Sequence, residues 1–317
     1  MSFAVSSQQT NGFNEIILED RIACTQVVIH PENGALLHAF SIQTDNGPFN
    51  VIDNYPDPES LQNELTDSFK SCKLSPFACR IPAGRYTFNN RLYEFQKKLK
   101  DGSSIHGLLY DKPFTMADEF YDDKQAGVQL NYNYNKNDEG YPFEYRCEIR
   151  YTLMENNLMQ VQTTIVNLSA ETIPLADGWH PYFTLGGTID EWTLQFNSCS
   201  MLEFNENLIP TGKLLPYAKF IEEQSLRGVD LDNSFLLNEG GNDRACILYN
   251  PSNKLSVSFF PDASYPYLQI YTPPDRQSIA IENLSGAPDC FNNKMGLIQL
   301  PPRQSKTFTV HYKTNKE

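Results

Sequence analysis

The stretch FEYRCEIRYTLMENNLMQVQTTIVNL, residues 143–168, decides the fold class. Tyr145, Cys147, Ile149, Tyr151 and Leu153 alternate with Arg146, Glu148, Arg150 and Thr152, the period-two pattern of a strand with one buried face. Glu155, Asn156 and Asn157 turn the chain. Met159, Val161, Thr163 and Ile165 then share one face of a second strand, so the segment predicts an antiparallel hairpin. The same pattern recurs in LSVSFF (255–260), YLQIYT (267–272), SIAIEN (278–283) and TFTVHY (307–312), each bounded by Gly, Pro, Asn or Asp. Toward the N-terminus, NEIILED (14–20), ACTQVVIHPENG (23–34) and ALLHAFSIQTDNGPFNVI (35–52) predict three or four more strands joined by Asn-Gly turns. Only DPESLQNELTDSFK (57–70) predicts a helix, opened by Asp57 with Pro58 in its first turn. Segment 99–141, rich in Lys, Asp, Gly and Asn, reads as the most loop-like part of the chain. Many short strands with almost no helical period predict an all-β fold, a large antiparallel β-sandwich. No linker or repeat divides it, so residues 1–317 are expected to form one domain.

Composition narrows the partners. Hydrophobic residues make up 40% of the 317, with 20 Phe and 17 Tyr, enough to build a large core. Lys and Arg number 25 against 39 Asp and Glu, a net charge of −14, which disfavours nucleic acid and anionic membranes as partners. The first residues contain no Lys or Arg and no signal-peptide run. No stretch approaches the ~20 apolar residues of a membrane helix, so a cytoplasmic protein, monomer or homodimer, is expected. Seven Cys without C-x-x-C spacing fit reduced thiols rather than a disulfide frame or zinc site.

The five histidines show no metal-ligand spacing, and no metal or other cofactor is expected. His311 alternates with Phe308, Val310 and Tyr312 and reads as solvent-facing; His30, before Pro31, reads as a turn residue; His38, among apolar neighbours, reads as a core histidine. His180 in GWHPYFTLGG (178–187) precedes a proline that holds it extended, and Trp179, Tyr182 and Phe183 around it are aromatics of the kind that stack on a sugar. His106 lies beside Gly107 in a loop. Glu282 ends the apolar run SIAIEN on the face of Ala280, opposite Ile279 and Ile281. Arg80 sits in SPFACRIPAGRY (75–86) and Asp232 in VDLDNSFLL (229–237). Taken singly, each has an ordinary structural reading: a packed aromatic turn, an exposed strand-end acid, a paired Arg, an Asp-Asn turn. The glycine pairs 186–187 and 240–241 read as turns without a phosphate-loop pattern, and no G-x-S-x-G is present, which lowers nucleotide-dependent and acyl-transfer chemistry.

Taken in order, CRIPAGRY, IHG, GWHPYFTL, LDNSF, YLQIYTPP and IAIENLSGAPDCFN resemble the aldose 1-epimerase (galactose mutarotase) family over nearly the whole chain. The resemblance implies a cofactor-independent enzyme that interconverts the α and β anomers of a free aldose. By position it implies Glu282 as general base, His180 as general acid and His106 as a second imidazole at the ring oxygen. It also implies that Arg80, Asp232 and Gln269 hold sugar hydroxyls. The chain departs from the family pattern at Cys79, where many members carry Asn, in HGLLYDKPF, at Asn283 and at Cys290. The other readings are a sugar-binding or regulatory module without turnover and a phosphosugar mutarotase, for which Arg80 and Arg85 are thin support. A glycoside hydrolase needs a second placed carboxylate that the sequence does not nominate.

Overall fold

The computed structural model of the protein describes residues 2–238 and 244–317, so Gly240 and Gly241 lie outside the described residues. The hairpin forms as read: Glu144–Met154 pairs antiparallel with Leu158–Asn167 in the register Tyr151 to Val161. Its inward residues Tyr145, Cys147, Ile149, Tyr151 and Leu153 have no exposed surface, while Arg146, Glu148 and Arg150 stay half-exposed. This hairpin sits inside a nine-stranded sheet whose centre is closed by the last strand, Ser305–Lys316, paired with Leu158–Asn167 on one side and Leu255–Pro261 on the other. A second nine-stranded sheet contains the strands Gly178–His180, Asp232–Leu236, Tyr267–Tyr271 and Ile279–Leu284. Every ladder between these strands is antiparallel, and one apolar core runs from Phe3 to Tyr312. The molecule is thus a mostly β fold of the sandwich type expected.

The N-terminal strands β1 (Phe3–Thr10), β2 (Phe13–Asp20), β3 (Thr25–His30), β4 (Leu36–Thr44) and β5 (Gly47–Asn50) form a sheet of their own in sequential order. Helix α1 (Pro58–Ser68) follows. The Asp57 carboxylate caps it by accepting from the Ser60 backbone N–H at 2.8 Å, Pro58 fills its first turn, and Phe69 ends it in a left-handed conformation (φ 52°). Its Leu61 packs with Phe13, Leu36 and Tyr55.

Segment 99–141 corrects the sequence reading, because it holds two paired strands, Thr115–Tyr121 and Gln125–Asn135. Thr115–Tyr121 is a sheet edge, exposed along almost its whole length, so no burial alternation marked it. In its partner, Gly127 sits opposite Phe120, where an added Cβ would come within 2.2 Å of the Phe120 ring. The glycine that looked like loop punctuation lets an aromatic lie flat on the strand. A four-residue helix, Cys290–Asn293, was also not anticipated.

Candidate active site

Three adjacent strands of the second sheet carry the site. Glu282 lies in Ile279–Leu284 directly opposite Gln269, and Gln269 in turn faces Ser234 on the Asp232–Leu236 strand. Alternation puts Ala280, Glu282 and Leu284 on one face, as read. The alternative of an exposed strand-end acid fails, since only 2% of Glu282 is accessible. His180 ends the strand Gly178–His180, which pairs with Ile279–Leu284 through Gly178. The following Pro181 carbonyl accepts from the Ile281 N–H, which locks the imidazole beside the carboxylate.

His180 Nε2 and Glu282 Oε1 are 3.3 Å apart, both nearly inaccessible. His180 Nδ1, Glu282 Oε2 and Gln269 Oε1 are buried without a hydrogen-bond partner among the described residues. Orphaned buried polar atoms are uncommon, and these three belong to residues that line one cleft. Burial raises the Glu282 carboxyl well above its ordinary value, with Asp232 adding to the effect, and lowers His180 to about 4. Both shifts favour uncharged groups. The carboxyl is thus pushed toward keeping its proton and the imidazole toward losing its own.

His106 completes the group through an unusual backbone. Its φ is +58°, and that of Cys79 is +56°. The His106 N–H donates to the Cys79 carbonyl at 3.0 Å, and the Cys79 N–H donates to His106 Nδ1 at 3.3 Å. With Nδ1 accepting, the ring proton sits on Nε2, a fixed donor. Burial first, then His180 and Arg80, hold His106 well below its ordinary value, so it stays neutral. Its ring meets His180 edge-on at 4.9 Å. Gly107 makes the turn possible: φ is +79°, and a Cβ there would lie 2.1 Å from the Ser75 carbonyl oxygen.

Arg80 is held by Asp101 and by Ser103 Oγ at 2.6 Å, and the Gln269 side-chain amide donates to Asp232 at 3.0 Å. All six residues singled out, Arg80, His106, His180, Asp232, Gln269 and Glu282, line one cleft of about 240 Å³. Of the three aromatics expected around the sugar, only Tyr182 lines it, stacked on His180; Trp179 and Phe183 are turned into the core. Phe69, Leu99, Phe204, Tyr271 and the end of α1 complete the walls. Nothing local in the sequence marked them, because they come from separate elements that meet only in the fold.

Sequence reading also missed the brace behind His180. Lys73 and Asp177, both without exposed surface, pair at 2.6 Å; Lys73 also donates to the Gly178 carbonyl at 3.0 Å and Tyr265 donates to Asp177 at 2.7 Å. The Asp177 N–H donates to Ser285 Oγ, and the Ser285 N–H donates to the Asp177 carbonyl. The residues just before His180 and just after Glu282 are thereby fastened together.

Two further histidine readings are corrected. His30 is no bland turn residue: it is 2% accessible, its Nε2 is 3.3 Å from Glu15 Oε1, and it stacks between Phe13 and His38. His38, read as a core histidine whose polar atoms would be hydrogen-bonded, is half-buried, and its Nδ1 has no hydrogen-bond partner among the described residues. His311 keeps to the face opposite Phe308, Val310 and Tyr312, beside Gln160.

Known proteins share this fold. The chain resembles a galactose mutarotase-like protein from Clostridium acetobutylicum in fold, with a TM-score of 0.87, 17% identity and coverage of 100% of this chain and 99% of that one. A galactose 1-epimerase structure from Lactobacillus acidophilus superposes with a TM-score of 0.80 at 23% identity, covering 99% and 98%. Rat galactose mutarotase is 26% identical over 194 residues, 53% of this chain and 52% of that protein. A family model described as aldose 1-epimerase matches residues 19–313. With nearly the whole length matched, the chain belongs to the aldose 1-epimerase family.

Proposed function

We propose that the protein is an aldose 1-epimerase that interconverts the α and β anomers of a free sugar by ring opening and closure. The observation that carries this is the buried Glu282–His180 pair at 3.3 Å, with Glu282 Oε2 and His180 Nδ1 unpartnered among the described residues and both side chains lining a sugar-sized cleft. In the reactive arrangement the proton lies on His180 and Glu282 is ionised. Glu282 removes the proton from the anomeric hydroxyl while His180 delivers its proton to the ring oxygen. The bond between the anomeric carbon and the ring oxygen breaks, leaving an aldehyde and a free hydroxyl. Rotation about the terminal carbon–carbon bond and closure with the two roles exchanged give the other anomer.

His106, fixed as an Nε2–H donor, stabilises the developing charge at the ring oxygen rather than transferring a proton. Arg80, Asp232 and Gln269 hold hydroxyls, and Tyr182 and Tyr271 supply apolar surface. Every step uses side chains of this chain alone. Arg80 is the only arginine lining the cleft among the described residues, and Arg85 points outward to Glu94, so a free sugar is favoured over a phosphorylated one. The seven cysteines are all unpaired, which fits a reducing compartment such as the cytoplasm. Among the described residues no helix is long and apolar enough to cross a membrane.

Polarimetry or NMR on freshly dissolved α-anomers of several hexoses and pentoses tests the reading. At least one should equilibrate faster with protein than in matched buffer. If none does, a binding module on the same fold is the better reading.

A further inference from the structure

A second group of titratable side chains lies outside the cleft, on the face of the N-terminal sheet that α1 covers. Glu15 on β2 and His30 on β3 face each other across the ladder, where the register pairs Ile16 with Ile29. His38 reaches the same face through a bulge. Val28 pairs with Ala39 but Ile29 pairs with Leu37, so His38 is the extra residue in β4. A bulge puts its two residues on one side of the strand, and this one brings the His38 ring to 3.9 Å from His30.

One carboxylate oxygen and one nitrogen from each histidine lie within 4.8 Å of one another. We propose that Glu15, His30 and His38 bind a divalent first-row transition ion of the zinc type, as a three-ligand site with its fourth position left to water, distinct from the sugar cleft. Two donors bound tetrahedrally at about 2.0–2.1 Å stand roughly 3.4 Å apart. Glu15 Oε1 and His30 Nε2 already stand at 3.3 Å. His38 must close in and tilt, since its ring is within 22° of parallel to His30 and an in-plane lone pair cannot reach a shared ion from that stack. Its Nδ1 has no hydrogen bond to give up in doing so.

Charge gives the second reason. Glu15 is 6% accessible, and among the described residues no Lys or Arg lies within ion-pair distance of it. Its hydrogen-bond partners include the neutral Gln8 amide and the His30 ring, and a divalent ion would supply the permanent positive charge that these lack. The other carboxylate oxygen is already oriented by the Gln8 side-chain amide at 3.1 Å, the outer-shell support typical of metal ligands. Phe13, stacked on His30 at 4.1 Å, shields one side. One carboxylate with two imidazoles suits zinc, cobalt, nickel or iron and not magnesium or calcium, which prefer all-oxygen sites. An ion here would tie β2, β3 and β4 together beneath α1, whose last residues line the cleft.

The test uses the full chain stripped with a chelator and then titrated with Zn²⁺, with uptake read by elemental analysis and imidazole shifts read by NMR on ¹⁵N-histidine-labelled protein. One ion per chain should bind, two of the five imidazoles should shift, and His38→Gln should identify them as His30 and His38. His38→Gln and Glu15→Gln should each weaken uptake by at least the roughly 10–100-fold that follows loss of outer-shell support alone. His311→Asn should bind as the unaltered protein does. Absence of saturable uptake by the unaltered protein overturns the proposal whether or not the variants fold. So does a shift of His106 and His180 in place of His30 and His38, or unchanged affinity in folded Glu15→Gln and His38→Gln.

Discussion

Replacing Glu282 with Gln keeps the side chain's shape and removes its ability to take a proton. A positioned general base contributes roughly 10²–10⁴ in rate, which is about 2.7–5.5 kcal/mol in the barrier. Ground-state affinity should change little, because the proposed reading gives the sugar hydroxyls to Arg80, Asp232 and Gln269; the loss should appear in kcat. The structure adds an expectation for stability. Glu282 is buried with one carboxylate oxygen unpartnered and its ionised form disfavoured. Gln carries no charge to desolvate, so the variant should be as stable as the parent or more so. Polarimetry on a reactive α-anomer and urea unfolding on the same preparations measure the two effects separately. His180→Asn should lose a similar factor in rate, and His311→Asn, on the far face of the sandwich, should lose none. Turnover of Glu282→Gln within about threefold of the parent, with matching circular dichroism, would refute base catalysis by this carboxylate.

The pH–rate profile should be bell-shaped with both limbs belonging to the Glu282–His180 pair. A proton enters the pair as pH falls toward about 4, and one leaves on an alkaline limb above the ordinary Glu value; a lone limb near the ordinary His value of about 6.5 would contradict this. Asp232→Asn should raise KM and, because Asp232 helps to raise the Glu282 carboxyl, move the alkaline limb to lower pH, as steady-state kinetics across pH would show. Lys73→Met leaves Asp177 buried without its cation and should cost about 3–5 kcal/mol in urea unfolding, with Lys73→Met/Asp177→Leu recovering much of the loss. Gly107→Ala should destabilise by more than about 1 kcal/mol and lower kcat, since its Cβ meets the Ser75 carbonyl in the turn that presents His106; unfolding and initial-rate measurements check both.

Strands whose two faces differ in environment could be read from the chain, and those without that contrast could not. Glu144–Met154 and Leu158–Asn167 each have one face in the core, so burial writes period two into them. Thr115–Tyr121 is exposed on both faces and left no period to read. Helix α1 announced itself through Asp57 and Pro58, whose effects are confined to its first turn. The Lys73–Asp177 brace spans 104 positions and looks in the sequence like two unrelated charges. The same holds for Glu15 and His30, where only the strand register shows that a carboxylate and an imidazole face each other.

The site divides along the same line, and the division has a chemical cause. Acid–base chemistry requires particular atoms, so on the proposed reading Glu282, His180 and His106 must be those residue types, and short stretches around them sufficed to nominate them. Apolar walls need only surface, which Phe69, Leu99, Phe204 or Tyr271 can supply from any element that passes nearby. What the chain alone could not reveal is the order of the two proton affinities. Ordinary values put Glu below His, at roughly 4.3 and 6.5. Burial reverses that tendency, because excluding water makes the Glu282 carboxyl hold its proton more firmly and the His180 imidazole less firmly, each toward its uncharged form. On the proposed reading, ring opening runs through the less populated arrangement, with the proton on His180 and Glu282 ionised. The positive-φ backbone at Cys79 and His106 belongs to the same construction, because it sets the Cys79 N–H on His106 Nδ1 and so leaves that ring's proton on Nε2 as a donor.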